Sequence, residues 1–282
     1  MKVAVTGAAG FIGSHVLDAL ARRGDVEIVA VSRREIPAGR LPPGAAQVIL
    51  DIAAPTEADY DRIGRPDVLV HLAWDGLPDY LSPHHFETEL PAQYRFLKML
   101  IEGGLRSLLV TGTCYEYGML DGELAEETIA APASPYAHAK VALHGQLELL
   151  KAEIPFALTW ARLFYTWGPG QASGSIFPML RAAVERGDSS FPMSPGEQVR
   201  DYLAVEEMAR ILVALALRQE DLGPVNVCSG VPVRMRSLVE QWLESNGWKI
   251  ALDLGKYPYP TYEPLAFWGS TEKLERLLAG SA

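Results

Sequence analysis

The 282-residue chain predicts an α/β fold: a doubly wound parallel sheet followed by a smaller C-terminal lobe. Three observations lead there. Short β-branched runs alternate with amphipathic stretches, the runs are apolar throughout, and the connections between them are short. Apolar strands are strands covered on both faces, which is the environment of a parallel sheet between helix layers. Short right-handed crossovers then make the doubly wound order the default.

Taken in order, strands are expected at residues 2–6, 26–31, 46–50, 68–71 and 107–111, with a further strand at 156–162. Helices are expected at 11–23, 86–102 and 135–151. Residues 1–170 read as a dinucleotide-binding domain, with 200–228 contributing to it. After about residue 170 the pattern loosens into a helix at 177–186, Gly/Pro/Ser-rich text, a strand at 200–204 and helices at 205–217 and 235–246. A Pro/Tyr-rich stretch from Tyr257 then precedes a last helix at 271–278. Residues 171–282 are therefore expected to form mainly a substrate-binding lobe, without internal repeats.

Composition narrows the class. With 49% hydrophobic and 21% charged residues the chain is ordinary globular protein. Its 25 basic and 35 acidic residues give a net charge of −10, which argues against a general nucleic-acid or anionic-membrane binder. An anionic ligand on such a chain needs local donors, so individual arginines matter. Cys114 and Cys228 make no disulfide framework and suit a reducing compartment. Residues 1–6 show no signal-peptide pattern, and the apolar run 211–217 is too short to cross a bilayer. A cytoplasmic location is expected.

The segment Thr6-Gly7-Ala8-Ala9-Gly10-Phe11-Ile12-Gly13 follows a strand and opens a helix. In that context Gly7 makes a tight turn, Gly10 lets a pyrophosphate approach the backbone, and Gly13 lets helix pack on strand. The free N–H groups and dipole of the helix start favour phosphate, giving a Rossmann-type site. About twenty residues on, Ser32-Arg33-Arg34 stands where an acidic residue would hold the ribose hydroxyls of NAD. Arg33 and Arg34 instead offer a charge-assisted fork to a 2′-phosphate, so NADP(H) is favoured. Glu35 alongside keeps NAD(H) open.

Tyr136 and Lys140 lie four residues apart on the expected 135–151 helix and so share one face. An adjacent ammonium and the positive nicotinamide ring of an oxidised cofactor both favour phenolate, which would draw the Tyr136 phenol toward neutrality. Thr113, after the fifth strand, places a hydroxyl at the carboxyl end of the sheet, where such folds bind ligands.

With these motifs in sequence order, the chain resembles the extended short-chain dehydrogenase/reductases, the NAD-dependent epimerase/dehydratase family acting on sugar nucleotides. The resemblance runs from Gly7 to Gly230 through Asp51-Ile52, His71-Leu72-Ala73, Thr113, Tyr136, Lys140, the run Arg162 to Pro169, Arg200-Asp201-Tyr202 and the run Asn226 to Gly230. It implies that Tyr136 is the acid/base and that Thr113 orients the carbonyl. Lys140 would tune the phenol and hold the nicotinamide ribose. It also implies that Asp51 and Ile52 meet the adenine, that Leu72 and Ala73 flank the cofactor, and that Arg200 grips the diphosphate of the sugar nucleotide. A homodimer through a four-helix bundle of the 86–102 and 135–151 helices would follow the same family habit.

Departures refine the expectation. Cys114 and Tyr115 stand where dehydratases of the family carry Asp-Glu, so loss of water is disfavoured. The usual Asn on the fourth helix is Glu89 and the usual Asn in the 162–169 motif is Tyr165. Trp74, Cys114, Tyr115, Tyr165 and Arg200 are the expected substrate-pocket residues. The expected activity is NADPH-dependent reduction of a C4 keto group on a nucleoside-diphosphate 4-keto-6-deoxy sugar, as in deoxysugar 4-ketoreductases. The alternatives are a 4-epimerase with tightly held NAD, or a non-catalytic cofactor-sensing regulator. The histidines at 15, 71, 84, 85, 138 and 144 have no metal-ligand spacing, and no metal is expected. His71 reads as core, His84 and His85 as solvated loop, His138 as surface, Cys114 as packed, and Glu116, Glu123, Glu126 and Glu127 as a solvated face.

Overall fold

The computed structural model describes residues 1–280. Seven parallel strands form the central sheet: β1 (Lys2–Thr6), β2 (Glu27–Ser32), β3 (Ala46–Ile49), β4 (Val68–His71), β5 (Ser107–Thr113), β6 (Ala157–Leu163) and β7 (Gly223–Val227). Their order is β7-β6-β5-β4-β1-β2-β3, so the winding reverses between β1 and β4. A crevice opens there at the carboxyl ends of the strands.

The longer helices are α1 (Phe11–Arg23), α2 (Leu90–Gly103), α3 (Pro135–Glu153), α4 (Ile176–Arg186), α5 (Val205–Leu217), α6 (Met235–Asn246) and α7 (Glu272–Ala279). Alternation along β1 shows how the layers form. Val3 and Val5 face α1 and α5, against Val16, Leu17, Leu20 and Leu212. Ala4 between them faces the opposite layer, where Leu97, Leu100, Leu143 and Leu147 pack from α2 and α3. Each fully buried leucine contributes about 1.5–3 kcal/mol. Ser134 caps α3 by accepting from Ala137 N–H, and Pro135 follows with a φ already suited to the first turn.

Differences from the expected elements have local causes. The helix expected from residue 86 is split: His85–Glu89 form a wider turn in which Leu90 N–H reaches back to the His85 carbonyl. Pro91, which has no N–H to give, follows at the start of α2. β7 was not expected because Gly223-Pro224 opens it and only Val225 and Val227 mark its apolar pattern. It nevertheless joins the sheet beside β6.

A second apolar cluster joins Leu180 of α4, Phe191, and Leu238 and Trp242 of α6, with Trp167 and Phe177 against it. Short strands tie this region to the site. Val199–Ala204 pairs with Tyr165–Trp167 and Pro232–Arg234, and Phe267–Gly269 pairs with Gly122–Leu124, which carries the C-terminal segment back beside β5. No helix among the described residues is long and apolar enough to cross a membrane.

Candidate active site

The glycine turn is built as its spacing implies. Gly7 has φ +67°, and a Cβ there would stand 2.9 Å from the Ala73 backbone nitrogen. A Cβ on Gly13 would lie 2.1 Å from the Gly7 carbonyl oxygen. α1 starts at Gly10 with no side-chain cap, so its first N–H groups face outward unclaimed by a capping side chain. A cavity of about 460 Å³ lies over this turn, and Gly7, Gly10, Arg33, Arg34, Asp51, Ile52, Leu72, Ala73 and Trp74 all line it. The cradle, its positive helix end and the adjacent arginines fit a dinucleotide.

The remaining expected cofactor residues sit around that cavity. Phe11, with Gly10, lines a neighbouring hollow, while Ile12 and Gly13 continue the first turn of α1. Lys140 lies a layer deeper, beneath Trp74. Arg33 is paired with Asp75 across the cavity rim at 2.9 Å. Arg34 is exposed and its carbonyl accepts from Ser32 and Gln47.

The expected trio converges. Thr113 ends β5, Tyr136 and Lys140 project from the first turns of α3, and all three are buried. The Thr113 side chain is near enough to the Tyr136 phenol to draw its titration down. Lys140 Nζ donates to the Thr111 carbonyl at 2.8 Å. One electrostatic expectation is corrected. Burial, reinforced by Tyr80, Glu116 and Cys114, pushes the Tyr136 phenol up rather than down, with the Thr113 hydrogen bond the opposing influence. Burial also pulls Lys140 down to about 7, with Glu116 and Glu89 acting against it. These surroundings therefore hold the tyrosine protonated, the form of a proton donor.

Glu116, expected on a solvated face, is fully buried directly under the trio. Its carboxylate accepts from Thr113 N–H at 2.9 Å, Trp160 Nε1 at 2.9 Å and Arg162 Nε at 2.8 Å. Thr113 Oγ1 in turn accepts from Tyr115 N–H, closing a capping box around the residue that must present its hydroxyl. The T-x-x-E spacing was the readable signal for this role. Glu126 is half-buried and accepts from Asn226 N–H at 2.8 Å, so it too is no free surface carboxylate.

Arg200 already has partners within the chain. Its guanidinium is buried and meets Glu263 Oε2 at 2.7 Å, with further bonds to Tyr165 Oη and the carbonyls of Val199 and Leu265. The positive charge expected to grip a diphosphate thus also has a carboxylate of the chain itself as a partner. Tyr115 and Tyr165 both donate to Glu263, at 2.9 and 2.7 Å. Tyr80, from the loop after β4, packs against both Tyr136 and Tyr115, with ring centres 5.5 and 5.2 Å away. Neither Glu263 nor Tyr80 stands out in sequence as a site residue, although Glu263 lies in the Pro/Tyr-rich stretch from Tyr257 within the expected substrate lobe. Glu263 reaches it through the return of the C-terminal segment, 63 residues beyond Arg200.

Cys114 is packed as expected, and burial pushes its thiol up. His138 is exposed and His71 is core, its ring pulled down to about 3 by burial. His85 corrects the solvated-loop reading, being fully buried against Trp74 and Tyr136, while His84 is half-buried. Glu89 is buried and accepts from Asp75 N–H and Gln93. Asp75, His84 and Glu89 bring donor atoms within 4.8 Å of one another, with Arg33 on the outer side of Asp75.

The sequence profile of the NAD dependent epimerase/dehydratase family matches residues 3–228. Among curated proteins, a dTDP-6-deoxy-L-talose 4-dehydrogenase (NAD(+)) of Aggregatibacter actinomycetemcomitans is 29% identical over 96% of this chain and 100% of its own. A GDP-6-deoxy-D-talose 4-dehydrogenase of the same organism is 22% identical over 82% of this chain and 75% of its own. Among solved structures, MoeE5 in complex with UDP-glucuronic acid and NAD superposes with TM-score 0.83 at 25% identity, covering 99% of this chain and 93% of that one.

Proposed function

The chain belongs to the NAD dependent epimerase/dehydratase family, and from that premise we propose that it reduces a keto group at C4 of a nucleoside-diphosphate 4-keto-6-deoxy sugar. The observation carrying this reading is the meeting of Thr113, Tyr136 and Lys140 beside the dinucleotide cradle, with Cys114 and Tyr115 where an eliminating enzyme needs carboxylates. The first two relatives described above are named as 4-dehydrogenases of 6-deoxy sugars, and oxidation and reduction at C4 are one reaction run in two directions.

A bound nicotinamide cofactor supplies the hydride. Thr113 aligns the carbonyl oxygen by hydrogen bonding, and Tyr136, held protonated, gives its proton to that oxygen as it becomes an alkoxide. The carbon gains hydride and the oxygen gains a proton, leaving an alcohol. Lys140 supplies positive charge next to the phenol and a donor for the cofactor ribose.

We assign NADP(H) on Arg33 and Arg34. The Arg33–Asp75 pair is exposed, so it is worth about 0–1 kcal/mol, less than a charge-assisted bond to a 2′-phosphate. The substrate diphosphate would lie near Arg200, which keeps one Nη2 hydrogen free of partners among the described residues. Residues 171–282, apart from the part in β7 and α5, are read as the substrate lobe. A homodimer through the outer faces of α2 and α3, where Leu149 is exposed, and a reducing cytoplasm for the two free thiols complete the proposal.

The test is a panel of nucleotide-linked 4-keto-6-deoxy sugars with NADPH, followed by loss of the reduced cofactor's near-ultraviolet absorbance. Oxidation with at least one sugar is expected. No oxidation by protein that binds NADPH overturns the reading.

A further inference from the structure

We propose that Trp74 is a positioning residue for Lys140: its indole face seats the ammonium and favours its charged form, and His85 fixes the indole. The proposal rests on the reading of Lys140 as the working ammonium of the site.

Lys140 is buried, and its Nζ lies 3.9 Å from the centre of the Trp74 ring. Of its three donors, the Thr111 carbonyl takes one. Among the described residues no carboxylate reaches ion-pairing distance: Glu116, from the turn after β5, and Glu89, from the entry to α2, act only through space. The other groups turned toward it are the Tyr136 phenol on its own helix and His71 on β4, which stays neutral down to about 3. Burial alone drives such a lysine toward the free amine, and it has fallen to about 7. Beyond the Thr111 carbonyl, the Trp74 π face is the compensating partner lying against the ammonium, and it attracts the cation without adding a titrating charge.

The indole cannot drift. Trp74 Nε1 donates to His85 Nδ1 at 3.0 Å, which leaves the His85 proton on Nε2, where it meets the Asp79 carbonyl at 2.8 Å. His85 is fully buried, and Gly76, at φ +85°, makes room for it: a Cβ there would lie 3.1 Å from His85 Cε1. Both rings also meet Tyr136 edge-on, at 5.8 Å from Trp74 and 5.3 Å from His85. One braced pair thus contacts both members of the Tyr136–Lys140 couple.

The test needs neither substrate nor cofactor. Lysine ε-carbons of the cofactor-free protein are titrated by NMR, with Lys140→Met identifying the signal. Loss of a desolvated cation–π contact in Trp74→Leu should lower the Lys140 midpoint by about one pH unit or more. Trp74→Phe, which keeps most of the bulk and a weaker π face, should fall between. His85→Phe, which removes the acceptor that holds the indole, should move the midpoint the same way. A wild-type midpoint in both Trp74 variants overturns the proposal. Inactivity toward every nucleotide-sugar would instead sink the functional reading and leave this measurement standing.

Discussion

Replacing Glu116 by Ala tests the foundation of the site most directly. The carboxylate is fully buried, and its partner Arg162 is only 6% exposed along the side chain. Truncation removes the acceptor of three donors: Thr113 N–H, Trp160 Nε1 and Arg162 Nε. It leaves a guanidinium in the interior with Tyr117 Oη and the Glu126 carbonyl as its remaining partners. Removing one member of a buried pair costs about 3–5 kcal/mol, a large fraction of the 5–15 kcal/mol that holds a typical domain folded. Urea unfolding followed by tryptophan fluorescence should show a loss of that size. Because the stranded charge is the main cost, Glu116→Ala with Arg162→Met should be less destabilised than the two single losses summed. Thr113 also loses its cap, so the folded fraction of Glu116→Ala should turn over more slowly. A loss below about 1 kcal/mol, or a double variant equal to the sum, would refute the picture of Glu116 as an anchored internal anion.

Further outcomes follow from the same geometry. Tyr136→Phe should lower kcat by about 10²- to 10⁴-fold while NADPH affinity, measured by fluorescence titration, stays near the wild type. Arg33→Ser together with Arg34→Ser should weaken NADPH binding about tenfold or more and leave NADH binding nearly unchanged; equal losses for both would refute the 2′-phosphate assignment. His71 stays neutral in the fold down to about 3, whereas in the unfolded chain it takes a proton near 6.5. Its contribution is therefore complete above 6.5 and declines as pH falls from there toward about 3. Urea midpoints across that window should fall less steeply in His71→Gln. Lys140 runs the same way at higher pH. Its folded value of about 7 against 10.5 unfolded means stability rises with pH between the two, and Lys140→Met should flatten that rise.

The parts of this site that could be read in sequence are those in which local spacing is the mechanism. Gly7, Gly10 and Gly13 work because the chain must turn, open to a phosphate and start a helix within seven residues, and Tyr136 and Lys140 work because four residues are one helical turn. Short apolar β-branched runs are a similarly local signal, and six of the seven strands are legible from them. What escaped depends on the chain returning from a distance. Glu263 is paired with Arg200 by the strand Phe267–Gly269 lying along Gly122–Leu124, a pairing of two three-residue strands without a periodic signature. His85 and Tyr80 are drawn inward by a loop whose composition reads as solvent-facing. Glu116 was the recoverable case. Its distance of three residues from Thr113 is the capping-box signature, yet on polarity alone a lone acidic residue after a strand reads as surface.

The Arg200–Glu263 contact bears on how the protein can be handled. Trimming the chain ahead of Glu263 would strip a buried guanidinium of its counter-ion and withdraw the acceptor shared by two tyrosines, so the tail walls one side of the candidate site. Affinity tags and fusions belong beyond α7, and a protease able to cut among the exposed residues 254–258 would be expected to silence the enzyme while sparing its dinucleotide cradle.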